Sequence, residues 1–369
     1  MENLLILLAF PLAYPWIAKR IWHNDVTWQE MILNIVIVAL AAGAVWQLGK
    51  NYMTTDVEIW NGQVTGKEKE WVSCEHSYAC NCRSNGNGGT SCDICHEHSN
   101  DWDWNVESTA GQFTIDRIDR RGSKEPPRWT AVERGQPAAL DKNFTNYVKA
   151  VPQSLFNTNQ QALSKYGAEV PAYPSDVYDY HYINRILGVG VNIPDVTVWN
   201  HNLALMLREL GPSKQVNVII VVTKNADPMF EYALQGKWLG AKKNDVVVIL
   251  GTPKYPEIQW VRVVSWTDKQ LFKVQLRDDI QDLKTVDQNK ILGIIDSHVK
   301  KSFVRKQMKD FEYLDSEILP PDWVIILAVV IAILGSILLS VLFLFYDVDL
   351  TRRNNIILRR DSYNRRFYR

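Results

Sequence analysis

WVIILAVVIAILGSILLSVLFLFY, residues 323–346, is the stretch on which the reading of this chain turns. It runs for 24 residues without a charge. At about 1.5 Å of rise per residue, a helix of that length crosses the roughly 30 Å hydrocarbon layer of a bilayer with some tilt. TRRNNIILRRDSYNRRFYR follows, with seven Arg and one Asp in its 19 residues. A segment so basic is retained on the cytoplasmic face, which gives the helix a direction. The expectation is an integral protein of an inner or plasma membrane, with 323–346 as a transmembrane helix and 347–369 as a basic cytoplasmic tail.

Working outward, residues 1–50 carry two more apolar segments, LLILLAFPLAYPWIA (4–18) and MILNIVIVALAAGAVWQL (31–48). The link between them holds Lys19, Arg20 and His23, so the same charge rule keeps it in the cytoplasm. The first segment contains Pro11 and Pro15. It reads as a kinked or re-entrant span, or else as a cleaved or interfacial segment; its n-region holds Glu2 and no cation, unlike a secretory leader. Both ends of the chain then agree that residues 51–320 are periplasmic or extracellular. The whole chain is neutral, with 41 Lys and Arg against 41 Asp and Glu, and its basic tail leaves the remainder mildly acidic. Such a surface does not suit nucleic acid.

Residues 51–135 read as a β-rich domain. DVEIWNGQVTGKEKEWVSCEH breaks into two strand-like runs near Thr65-Gly66-Lys67, and DWDWNV alternates Trp102 and Trp104 with acids. Between them lies CEHSYACNCRSNGNGGTSCDICHEH. Cys74, Cys80, Cys82, Cys92 and Cys95 fall within 22 residues, and His76, His96 and His98 lie in the same patch. Two close pairs, Cys80/Cys82 and Cys92/Cys95, flank a Gly/Asn-rich turn. They are candidate ligands of a structural zinc ion, at about 2.3 Å per sulfur, with Cys74, His76 and His98 as alternates. The other reading is disulfides, natural to an oxidising exterior; five being odd, one thiol is then left over. Glu75 and Glu97 are the carboxylates nearest in sequence should such a metal be catalytic.

Residues 136–174 form a connector, and 175–312 read as an α/β domain. VWNHNLALMLREL places Leu203, Met206, Leu207 and Leu210 on one helical face, and Gly211-Pro212 is its stop signal. QVNVIIVVT (215–223), VVVIL (246–250) and WVRVVSW (260–266) are apolar, β-branched runs of the kind buried on both faces of a sheet. Asp227 and Pro228 have the types expected at the N-cap and first position of an intervening helix that Gly240 ends. The strand–helix–strand spacing suggests a parallel crossover. FKVQLRDDIQDL and DQNKILGIIDSHVKKSFVRKQM follow as amphipathic helices.

In VNVIIVVTKNADPMFEYALQGKWLGAKKNDVVVIL, residues 216–250, the placing of Tyr232, Ala233, Trp238, Gly240 and Asn244 resembles the TPM domain family. Asp245 stands where that family has glycine. The resemblance covers about a third of the chain. It implies an α/β domain tethered outside the cytoplasm, and for some members a weak phosphatase activity with divalent metal. The layout of the whole chain resembles, more faintly, membrane proteins of phage and bacteria.

A phosphatase needs carboxylates converging on a cation. Asp227, Asp245, Asp268, Asp278 and Asp279 are the available ones, each also readable as a cap, turn or solvated-face residue. No catalytic or cofactor-binding residue is assigned. The sequence therefore favours a membrane-anchored scaffold or interaction module, whose partners are the bilayer and other envelope proteins, with oligomers allowed. A metal-dependent phosphatase-like hydrolase is the alternative.

Overall fold

A computed structural model describes residues 10–17, 20, 27–85, 89–151, 160–177, 184–348 and 357–359. Residues 4–9 and 18 of the first apolar segment, His181 and most of the basic tail lie outside the described residues. The fold is mixed α and β, and the chain divides into two compact units: residues 1–56, 145–152 and 311–369, and residues 57–144 and 153–310.

The first unit is built on two long apolar helices. They are preceded by helix α1, residues 10–17. Helix α2, Trp28–Thr54, opens with a capping box: the Thr27 hydroxyl accepts from the Glu30 amide (3.3 Å) and the Glu30 carboxylate accepts from the Thr27 amide (2.8 Å). The box satisfies two of the amide donors that a helix start leaves without partners. The chain returns through a 3-10 segment, Met308–Glu317, into the last helix, Asp322–Phe345. Helix α2 and this last helix are both long and apolar enough to cross a membrane.

They pack side by side and run in opposite directions. Gly49 lies against Pro320 and Val324, Trp46 packs with Ala328, and Gly335 faces Val38. At the far end the Asn34 side-chain amide donates to the Ser336 carbonyl and the Ser340 hydroxyl, both at 3.0 Å. A Cβ on Gly49 would stand 2.6 Å from the Val324 side chain, so glycine is what allows the close approach there. A short helix, Tyr147–Ala150, closes the unit by burying Ala150 and Val151 with Ile318.

The second unit begins with a four-stranded sheet in the order β5-β4-β1-β6. Strand β1 is Thr55–Ser73, and β2 (Ser77–Asn85) and β3 (Gly89–His96) form a separate hairpin. Strands β4 (Asn100–Ser108) and β5 (Gly111–Ile115) follow. A short helix α3, Pro127–Thr130, leads to β6, Pro137–Thr145; beyond α4 (Tyr147–Ala150), the short helix of the first unit, comes α5 (Gln160–Tyr166). Val64, Val106, Ile115, Val132 and Ala138 form the core of this sheet. Trp71 and Trp102 are cross-strand partners in an edge-to-face contact at 4.3 Å, while Trp104 is buried and donates to the Gly122 carbonyl. The connector expected over 136–174 thus contributes β6. PAALDKNFT has one half-buried face, a weaker signal than an apolar run, and it takes its place by pairing at the β1 edge.

The rest of the unit is a sheet in the order β10-β9-β8-β7. Strands β7 (Ile186–Val189), β8 (Asn217–Thr223) and β9 (Asp245–Gly251) are parallel, and β10 (Trp260–Val264) is antiparallel to β9. Every residue of β8 and β9 is buried, as their continuous apolar text requires. Val218, Ile220, Val222, Val246, Val248 and Leu250 pack under α6 (Val196–Lys214), α8 (Gln270–Gln281) and α9 (Gln288–Ser302). Ile219, Val221, Val247 and Ile249 face the other way, onto α5 and α7 (Phe230–Lys237). This is the strand period of two expressed as two cores.

Helix boundaries differ from the sequence signals in two places. Helix α6 runs through Gly211-Pro212 and stops only at Gln215, whose φ is 51°. Pro212 sits in the final turn, where its missing donor removes a single bond, and Gly211 packs directly on the backbone of Asn61, which leaves no room for a side chain. Helix α7 begins at Phe230, after a tight turn over 227–231 in which the Asp227 carboxylate accepts from the Met229 amide at 2.9 Å. Gly240, with φ 77°, ends that region as expected.

Polar side chains tie the two sheets together. Asn61 donates to the Val216 carbonyl (3.1 Å), Asn244 donates to the Ile59 carbonyl (2.8 Å), and buried Arg185 donates to Asn61. Glu58, buried, is paired with Arg305 and Lys243.

Candidate functional site

The four cysteines of the two close pairs are joined as disulfides, Cys80–Cys95 and Cys82–Cys92. The bridges run across the β2–β3 hairpin, from one strand to the other. Sulfurs in such bridges are not thiolate ligands, so in this structure Cys80, Cys82, Cys92 and Cys95 form no zinc knuckle, and the bridged alternative is the one present. A bulge between Cys80 and Arg83, with Asn81 at φ 47°, offsets the strand so that both pairs meet. The hairpin's flanks are mostly exposed, Ile94 at 77% and Tyr78 at 52%. Covalent closure here stands in for a core that this segment cannot build.

The fifth cysteine and two of the histidines come together at the neck of that hairpin. Strand β1 delivers Cys74, which is buried, and His76 follows two residues later, just before β2. His98 sits in the bend that returns the chain from β3 to β4. The fourth member is Asp101. Its register partner on β1 is Val72, so it lies beside the end of that strand, and its carboxylate is fully buried. Trp102, next along β4, points to the other face and packs on Trp71.

Ligand atoms of Cys74, His76, His98 and Asp101 all lie within 4.8 Å of one another. His76 Nδ1 is 3.4 Å from Asp101 Oδ2 and 3.9 Å from Cys74 Sγ, and His98 Nε2 is hydrogen-bonded to Asp101 Oδ1. From the outside, the Glu75 amide donates to Asp101 Oδ2 at 3.2 Å, and Arg117 Nη1 does so at 3.1 Å. Arg117 is itself held by Asp103, two residues from Asp101 on the same strand face. Burial pushes the Asp101 carboxyl up, yet the Glu75 amide, the His98 ring and Arg117 together outweigh it and leave the group below the ordinary carboxylate range. The Arg117 guanidinium loses hydration, but Asp103, Asp101 and Glu75 hold it above its usual value.

Cys74, His76 and His98 were visible in the sequence as a Cys/His cluster. Asp101 and Arg117 carry no such local mark. The available signal was the alternation of DWDWNV, which sends Asp101 and Asp103 to one face and the tryptophans to the other.

The five aspartates available for phosphatase chemistry are each engaged by a different neighbour. Asp227 accepts from the Tyr166 hydroxyl (2.6 Å) and pairs with Lys165 (3.0 Å); with the Met229 amide, these hold its carboxyl at about 2. Asp268 pairs with Lys306, Asp278 with Arg277, and Asp279 with His298. Asp245 differs from the solvated turn residue its neighbours suggest. It is fully buried, accepting from Asn217 (3.0 Å), the Tyr173 hydroxyl (2.8 Å) and the Lys242 amide (2.9 Å). Burial pushes its carboxyl up to about 6, against the pull of those bonds. It joins the starts of β8 and β9, a structural position. Among the described residues, the cluster at the hairpin neck is the one group of three or more His, Cys, Asp or Glu with metal-binding geometry.

Comparison with protein-family models, curated proteins and solved structures returns no match to this chain.

Proposed function

We propose that this chain is a membrane-anchored display protein, holding its disulfide-bridged region on the oxidising side of a bilayer for contact with other envelope proteins. The observation that carries the reading is the antiparallel pairing of the two apolar helices, with Asn34 bonded to Ser336 and Ser340 inside the pair. Polar side chains that bond across helices, and glycine at the point of closest approach, are the means by which helices associate in lipid. Antiparallel helices that both cross the bilayer leave it on the same side, so everything between them lies on that side. The arginines of the tail favour the outer side, and two disulfides in the intervening region agree with that reading. The TPM-like character of 175–312 belongs to the same proposal, since family members are tethered outside the cytoplasm.

The hairpin supports the interaction role. A doubly bridged, exposed hairpin is preorganised, and binding through it costs little ordering entropy. Tyr78 and Ile94 are its large exposed apolar side chains.

Two experiments test the proposal separately. Alkaline extraction followed by one-sided proteolysis should leave the protein in the membrane, with the middle of the chain cleaved from outside and the tail spared. Release into the alkaline supernatant, or cleavage of the tail alone, overturns the anchored reading. Photo-crosslinking from position 78 or 94 in intact cells should then give one defined protein adduct. No adduct at either position removes the interaction role and leaves the anchor standing.

A further inference from the structure

We propose that Cys74, His76, His98 and Asp101 bind one zinc ion, which clamps the neck of the disulfide hairpin. The site is distinct from the four bridged cysteines and is independent of the membrane reading.

Geometry comes first. A tetrahedral zinc with bonds of about 2.0–2.3 Å sets its ligand atoms roughly 3.3–3.7 Å apart. His76 Nδ1 lies 3.4 Å from Asp101 and 3.9 Å from Cys74, and no pair in the group exceeds 4.8 Å. The His98–Asp101 hydrogen bond gives way to the ion, which then takes its place between them and the other two ligand atoms. The cluster is also built into the fold: Cys74 and Asp101 are buried, at 5% and 0% exposure.

Chemistry selects the metal. A thiolate and two imidazoles are poor ligands for calcium or magnesium, which take oxygen, and good ones for zinc. Cys74 as thiolate and Asp101 as carboxylate together balance the charge of a divalent ion, and binding releases the Cys74 proton to solvent. The Glu75 amide and Arg117 already hold Asp101 from outside, as the outer partners of metal-bound carboxylates do. Four protein ligands fill a tetrahedron, so the site is closed and structural. It also gives a role to the fifth cysteine, which no disulfide uses.

Position gives the role. Cys74 and His76 lie just before β2, and His98 and Asp101 just after β3. An ion held by both pairs joins the two legs of the hairpin where they leave the sheet, and sets the direction in which the bridged tip points.

The test uses the full-length protein in detergent with its disulfides intact, stripped by a chelator and titrated with Co²⁺ and then Zn²⁺. One equivalent of cobalt should bind and give a thiolate-to-cobalt charge-transfer band, which zinc then removes. Zinc should slow the reaction of Cys74 with a thiol reagent at least tenfold. Cys74→Ser should lose the band, and Arg117→Gln should weaken zinc binding by about 10- to 100-fold. Absence of the band in the wild-type protein, with Cys74 titrating as a free thiol in the presence of zinc, overturns the proposal. So does a band that survives Cys74→Ser. Because the decisive titration is made on the wild-type chain, misfolding of a variant does not affect it.

Discussion

The β2–β3 hairpin and the β7–β10 sheet belong to one compact unit, yet they are held by opposite means. The hairpin is mostly exposed along its length and is closed by two disulfides. The sheet has no disulfide; its two central strands are buried at every position, between helices on both faces. The local supply of apolar side chains selects the device. Arg83, Ser84, Thr90 and Ser91, in the strands beyond the bridges, have nothing to bury, so cross-links hold them. NVIIVVT and DVVVILG bury everything they have, and covalent help is unnecessary.

If that contrast is right, the largest effect comes from the sheet's core. Phe272→Ala, removing a buried ring of α8 that contacts Phe303, should cost about 3–5 kcal/mol and lower the urea midpoint of the whole unit. An effect below about 1 kcal/mol would mean that this layer is not what holds the unit.

Within the sheet, Asp245 makes stability depend on pH. Its carboxyl titrates at about 6 in the fold, facing Tyr173, Asn217 and the Lys242 amide, and near 3.8 when unfolded. The folded state keeps the proton that the unfolded chain releases, so stability falls as pH rises from about 4 to 6. The difference between those two titration points corresponds to about 3 kcal/mol at most. Asp245→Asn should remove this decline, and denaturant midpoints taken between pH 4 and 7 should converge or cross in the variant's favour. Parallel curves for the two proteins would rule out the buried acid.

Next comes the hairpin. Replacing Cys82 and Cys92 together by Ser opens a short loop, worth about 2–3 kcal/mol in the closure-entropy account. The loss should be local: residues 77–96 become sensitive to protease while the sheet's denaturant midpoint stays in place. A shared drop in both would show that the two regions are not independently stabilised.

The smallest effect is expected in the helix pair. Asn34→Ala removes the bonds to Ser336 and Ser340 and should weaken helix association by about 0.6–1.7 kcal/mol, measured as steric trapping or thermal unfolding in detergent.

How much of this was legible depended on the range of the interaction. The apolar helices and strands β8, β9 and β10 could be read directly, because each carries its own signal in consecutive residues. Strand β7, four residues long, and β6, with one half-buried face, carried too little signal and exist through pairing. The candidate metal centre was half legible. Cys74, His76 and His98 stand out by composition, whereas Asp101 enters through the pairing of β1 with β4, and Arg117 through the end of β5. Asp245 reads locally as a turn residue in KKND, and its burial is imposed by Tyr173 and Asn217, far away in sequence.

Read from the residues alone, apolar surface is continuous in two long helices and in β8 and β9, which are buried throughout, whereas the equally apolar β10 is only partly buried at the sheet edge and the Cys/His-rich segment is too polar to pack. Burial free energy follows the local run of side chains, so those features needed no partner to be recognised. Only the tertiary structure decided which cysteines pair, which thiol remains, and that an aspartate 27 residues along the chain joins it. Those outcomes depend on strand register, and register is set by contacts between residues that the order of the chain does not bring together.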